Sequence, residues 1–108
     1  MKKFFLLLLI LVSLFANAQY KSSLTAEQWV DSVYKSLNND QRIAQLMIIR
    51  AHSNLPQDHI NKVVNDIKKY NVGSLCFFQG GPVRQAKLTN YYQSIAKTPL
   101  MITIDGEY

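Results

Sequence analysis

Apolar positions change period along this chain, and the changes divide it into elements. An unbroken apolar run from Phe4 to Val12 comes first, with Lys2 and Lys3 before it. After a short polar lead, Trp29, Val33 and Leu37 recur at helical spacing. Thr25 and Gln28 stand three apart as a capping box, so a helix is expected over about Ala26 to Leu37. Asn38-Asn39-Asp40 interrupts it. A second short helical stretch carrying Ile43 and Leu46 leads into Met47-Ile48-Ile49, the first expected strand, which Arg50 ends. Beyond Pro56, residues Ile60, Val63, Val64, Ile67 and Tyr70 form one apolar stripe of a helix. Asn71 and Gly73, both able to adopt positive φ, stop it.

Ser74-Leu75-Cys76-Phe77-Phe78 has no alternation, which is the pattern of a strand covered on both faces, and Gln79-Gly80-Gly81 ends it. Pro82 suits the first turn of another helix, whose expected buried face is Leu88, Tyr91, Tyr92 and Ile95. Pro99 closes that helix. Leu100-Met101-Ile102-Thr103-Ile104 is the third expected strand, ending at Asp105-Gly106-Glu107. The order α-β-α-β-α-β implies an α/β fold with parallel strands and right-handed crossovers. Two architectures compete. A nucleotide-binding sheet needs a glycine-rich phosphate loop after its first strand, and Arg50 to Pro56 contains no glycine. The expectation is therefore the first three β/α units of a (β/α)8 TIM barrel. It is incomplete, since such a barrel takes about 250 residues.

The leading run is too short to span a bilayer and is followed by Ala16-Asn17-Ala18, a signal-peptidase pattern. Residues 1–18 read as a signal peptide cleaved between Ala18 and Gln19, residues 19–24 as a polar lead and residues 25–108 as the folded part. A periplasmic or secreted destination without a stable membrane anchor follows. Cys76 is the single cysteine, so neither an internal disulfide nor a lipid-accepting cysteine after the leader is expected. Formal charge is +5, and two of the lysines lie in the leader. The other basic residues are dispersed among acids, which excludes a nucleic-acid footprint. Lys68-Lys69 falls where a helix dipole favours cations.

Each expected strand ends in a polar group, Arg50, Gln79 and Asp105, and in a parallel barrel these ends share the rim where active sites are built. Asp105 is the strongest candidate for gripping a ligand, with Arg50 and Gln79 as possible rim contacts. Asp105 and Glu107 are too close in the chain to serve as an attacking and a protonating carboxylate pair. Gly80-Gly81-Pro82 reads as a turn before it reads as an anion cradle. His52 and His59 lack a third partner at metal-ligand spacing and read as surface or loop histidines. Cys76 reads as a small buried hydrophobe. Trp29 and Tyr91-Tyr92 fit helix-packing faces better than a sugar-stacking platform.

Three segments carry a resemblance: Gln45-Leu46-Met47, Gly73 through Pro82, and Pro99 through Glu107. They resemble the N-terminal domain of glycoside hydrolase family 3. The secreted β-N-acetylhexosaminidase branch is most similar, through Phe78-Gln79-Gly80-Gly81-Pro82 and the following Leu88-Thr89-Asn90-Tyr91-Tyr92-Gln93. The resemblance runs from about Leu37 onward and implies a (β/α)8 barrel that retains configuration through a glycosyl-enzyme intermediate. It implies that Asp105, the aspartate of the Ile-Asp-x-Glu segment, binds hydroxyls of the non-reducing sugar. The family's nucleophilic aspartate and its Lys-His and Gly-His-Gly segments come later than this segment, so no catalytic residue carries over.

The expected activity is removal of terminal β-linked N-acetylglucosamine, plausibly from peptidoglycan fragments, with no metal or organic cofactor and with a carbohydrate as partner. The residues 19–108 alone are expected to be inactive. A small secreted carbohydrate-binding or interaction module is the rival reading, with the same rim as its ligand patch.

Overall fold

The computed structural model describes residues 24–106; the expected leader, its cleavage site and Glu107 lie outside the described residues. Four helices and three strands follow in the order α1 (Ala26–Ser36), α2 (Asn39–Ala44), β1 (Ile48–Ala51), α3 (Gln57–Tyr70), β2 (Ser74–Phe77), α4 (Pro82–Ile95) and β3 (Met101–Ile104). Local chemistry explains their limits. Thr25 and Gln28 close a reciprocal capping box at α1, and Asn38 and Gln41 close a second at α2. The polar triplet that reads as an interruption is thus a helix start. Asn71 ends α3 in the left-handed region at φ 57° and ψ 52°. Pro82 opens α4, where its missing N–H costs nothing.

Gly73 does not stop α3 by positive φ. Its role is close approach: a Cβ there would lie 2.0 Å from the Gln45 carbonyl oxygen. Arg50 likewise does not end β1 but sits inside it, and β2 stops at Phe77, one residue before its apolar run does.

The sheet is parallel in the order β1-β2-β3. Its register aligns Ile49, Leu75 and Ile102 in one row, and Ala51, Phe77 and Ile104 in another. Side chains alternate between faces along each strand, so these two rows share a face. On that face lie Val63 and Ile67 of α3 and Tyr92 of α4, with Ile60, Val64, Leu88 and Ile95 at the margins. The other face carries the rows Ile48, Ser74, Met101 and Arg50, Cys76, Thr103. No described helix covers it, and Ile48 and Met101 remain more than half exposed.

The expectation that β2 is covered on both faces is therefore corrected among the described residues. Its unbroken apolar run reflects one covered face plus Cys76 on the open one. Cys76 is half-buried there rather than a core residue. No helix among the described residues is long and apolar enough to cross a membrane.

Side-chain amides staple the end of the sheet from which the strands start. Asn71 Nδ2 donates to Thr98 Oγ1 at 3.0 Å, and the Thr98 N–H donates to Asn71 Oδ1 at 3.2 Å, both buried. Gln93 donates to the Leu100 carbonyl at 2.7 Å and accepts the Leu100 N–H at 3.0 Å. Gln45 Nε2 donates to the Asn71 carbonyl, and the Gly73 N–H donates to the Ala44 carbonyl. These contacts fix where each strand begins, and hence where it delivers its last residue. Arg42 reaches back to the Tyr34 carbonyl through Nε and Nη2 at 3.2 Å each and tethers α1, whose residues are all at least partly exposed.

Candidate functional site

At the opposite end the strands run out into three loops held side by side. The Phe78 N–H donates to the Ala51 carbonyl, the Ser53 N–H to the Gln79 carbonyl at 3.0 Å, and the Asp105 N–H to the Phe77 carbonyl at 2.8 Å. The strand ladder is thereby extended by one or two residues beyond each strand. Gly80, at φ 121°, brings its backbone so close to Ser53 that a Cβ there would lie 1.8 Å from the hydroxyl oxygen. Ser53 itself donates toward the Gly81 carbonyl at 3.4 Å. Gly80 lies in a bend, Gly81 is the N-cap of α4, and Pro82 is the first residue of that helix.

Arg50 and His52 stand two residues apart at the end of β1, and Arg50 Nε donates to His52 Nε2 at 2.7 Å. An arginine nitrogen can only donate, so His52 Nε2 supplies a lone pair and the ring proton resides on Nδ1. The His52 N–H donates to His59 Nε2 at 3.1 Å, which assigns His59 the same tautomer. The His52 ring meets His59 edge-on at 5.3 Å and stacks on Phe78 at 6.0 Å, while the Arg50 guanidinium lies 4.9 Å from the Phe78 ring centre. Burial, and after it the Arg50 charge, holds the His52 pKa below the ordinary histidine value. Burial, followed by the charges of His52, Lys62 and Arg50, lowers that of His59. Both rings are neutral acceptors at neutral pH.

His52 lies in the loop after β1, as expected, but it is no surface residue: it is 4% exposed. Its Nδ1 is buried without a hydrogen-bond partner among the described residues. No periodicity marks it, because its partners come from a strand residue two before it and a helix residue seven after it. The spacing His52-x6-His59 across a strand-to-helix loop was the available signal.

A cavity of about 520 Å³ opens at this end, walled by Arg50, His52, His59, Lys62, Asp66 and Gln79 over the apolar floor of Ile49, Leu55 and Val63. Of the three sequence-derived rim residues, the structure brings Arg50 and Gln79 into this one wall. Asp105 stands half-buried at the end of β3, tied by its backbone to Phe77 and outside that wall. Trp29 and Tyr91 are more than two-fifths exposed, whereas Tyr92 is fully buried against the sheet. Among the described residues no three His, Cys, Asp or Glu side chains converge as a metal site would require. No protein-family profile matches the chain, and no curated protein sequence matches it significantly.

Proposed function

We propose that these β/α units belong to the barrel of a secreted glycoside hydrolase of the family 3, β-N-acetylhexosaminidase type. Such an enzyme removes terminal β-linked N-acetylglucosamine with retention of configuration. One observation carries the barrel reading. The strands stand in sequential order with both crossover helices on one face, and the other face is bare. Successive β/α units produce this when a sheet curls until its bare face becomes the barrel interior. One βαβαβ half of a doubly wound sheet shares this order over three strands, and the glycine-free stretch from Arg50 to Pro56 weighs against that alternative. In the barrel reading Arg50, Cys76 and Thr103 form one interior layer, and the loops after the strands line the substrate mouth.

Within that mouth Asp105 accepts hydrogen bonds from hydroxyls of the terminal sugar, and Arg50 and Gln79 form the adjoining rim. Neither metal nor organic cofactor enters the reaction. The nucleophilic aspartate and the proton donor are supplied by strand ends other than the three described here. Residues 1–18 serve export, which fits a glycan or peptidoglycan-fragment substrate outside the cytoplasm. The test is expression of the complete reading frame carrying these residues, with a chromogenic N-acetyl-β-glucosaminide as substrate. Turnover with a β-configured first product is expected; a folded product inert toward β-N-acetylglucosaminides would overturn the reading.

A further inference from the structure

We infer that the cavity at the end of β1 is a binding site for a small organic carboxylate, gripped by Arg50 and Lys62 with the ligand's apolar body against Leu55 and Ile49. The inference uses Arg50, which the glycosidase reading also places on its substrate rim, but its test reads carboxylate binding directly and so fails separately from glycoside turnover. Arg50 has one nitrogen committed: Nε donates to His52 Nε2 at 2.7 Å. That bond, with Phe78 beneath the guanidinium at 4.9 Å, fixes the plane of the group and leaves the Nη1 and Nη2 edge without a protein acceptor among the described residues. Two parallel N–H donors on a planar edge match the two oxygens of a carboxylate.

Lys62, one turn along α3 from His59, contributes a second cation to the same wall, and Asp66 contributes the one carboxylate. Lys62 and Asp66 form no ion pair within 4 Å; the ion pair among the described residues is Lys35 with Asp31. With both histidines neutral, the wall carries one net positive charge, suited to a singly charged anion rather than to a phosphate dianion facing Asp66. The volume of about 520 Å³ falls within the range of small-molecule sites and exceeds what a bare carboxylate fills. Leu55 and the partly buried Ile49 supply the apolar remainder. His52 is a positioning residue: its ring holds Arg50 and does not itself contact the ligand.

The probe is hexanoate, titrated into the isotopically labelled protein while the imidazole resonances of His52 and His59 and the Arg50 Nε–H resonance are followed. Saturable shifts at millimolar hexanoate are expected, with hexanol and inorganic phosphate each at least about tenfold weaker, as a charge-assisted bidentate contact requires. Arg50→Gln and Lys62→Gln, both at exposed positions, should each weaken hexanoate by about tenfold, and Asp66→Asn should strengthen it. Three results would overturn the inference. These are equal binding of hexanol, tighter binding of phosphate, and hexanoate shifts that survive unchanged in Arg50→Gln.

Discussion

The two ends of this sheet both carry polar side chains and use them differently. At the end where the strands start, Asn71, Thr98, Gln93 and Gln45 spend their polar groups on each other and on backbone. At the end where the strands finish, among the described residues, Arg50 keeps two nitrogens free and His52 keeps a buried N–H without a partner. A buried donor left unmade costs about 1–3 kcal/mol, so this end is the less stable arrangement for its composition. The first end sets the positions of the strands, and the second keeps hydrogen-bonding capacity available to a ligand. Parallel α/β folds divide labour in this way between the two ends of their strands.

The largest expected effect lies at the stapled end. Gly73→Ala drives a methyl into the Gln45 carbonyl, contact with backbone that cannot swing aside, and should cost about 3 kcal/mol. Gly106→Ala meets open space beyond β3 and should change stability by less than about 0.5 kcal/mol. Urea denaturation of the two variants measures the difference directly; equal losses would break the contrast between the ends. Asn71→Ala should follow at about 2 kcal/mol, since it strands the Thr98 N–H and places a Cβ-bearing residue without a compensating side-chain bond in the left-handed region.

Protonation probes the other end. Both histidine pKa values are depressed in the folded state, so below the ordinary value of 6.5 the unfolded chain takes up more protons than the folded one. Their contribution to stability is complete above that pH and is lost as pH falls from there through the folded values. The melting temperature should therefore decline between about pH 7.5 and 5.5. His59→Gln, which keeps an acceptor for the His52 N–H, should flatten part of that decline. An unchanged slope would show that the histidine pair does not titrate with folding.

The smallest effect separates two orphaned polar atoms. The Tyr92 hydroxyl is also buried without a partner among the described residues, and burial followed by the neighbouring Tyr91 raises its pKa. It lies in the helix-covered core rather than in the cavity wall. Tyr92→Phe should be neutral or stabilising by up to about 1 kcal/mol in thermal melts. A loss larger than that would mean the hydroxyl has a role the packing does not reveal.

Much of the scaffold is legible in the sequence, because it is written in local signals. The Thr25–Gln28 box, the Ile60–Val63–Val64–Ile67 stripe, the Asn71 stop and Pro82 at a first turn each lie within one helix and act there. What escaped depends on pairs brought together by the sheet. Asn71 meets Thr98 across 27 positions, and Leu75 gives no sign in its own segment that one face of its sheet is open. Asn38 does separate α1 from α2, but Asn39 and Asp40 already belong to α2, because the Asn38 side chain caps a helix that begins one residue later. At the candidate site, Arg50 and Gln79 could be found from their places near the ends of apolar runs, while Asp105, found in the same way, lies outside the cavity wall. The histidine beneath Arg50 could not, because its burial comes from Phe78 on the next strand's loop and His59 on a helix.

The most direct measurement compares Asp105→Ala with Thr98→Ala in the product of the complete reading frame, by kcat/KM on an N-acetyl-β-glucosaminide and by melting temperature. The account predicts that Asp105→Ala lowers kcat/KM by roughly 100-fold with melting nearly unchanged, as loss of a sugar-hydroxyl acceptor does. Thr98→Ala should lower the melting temperature while activity per folded molecule persists. Full activity in Asp105→Ala, or a Thr98→Ala protein that melts normally but fails to turn over, would contradict the division between a structural end and a functional end.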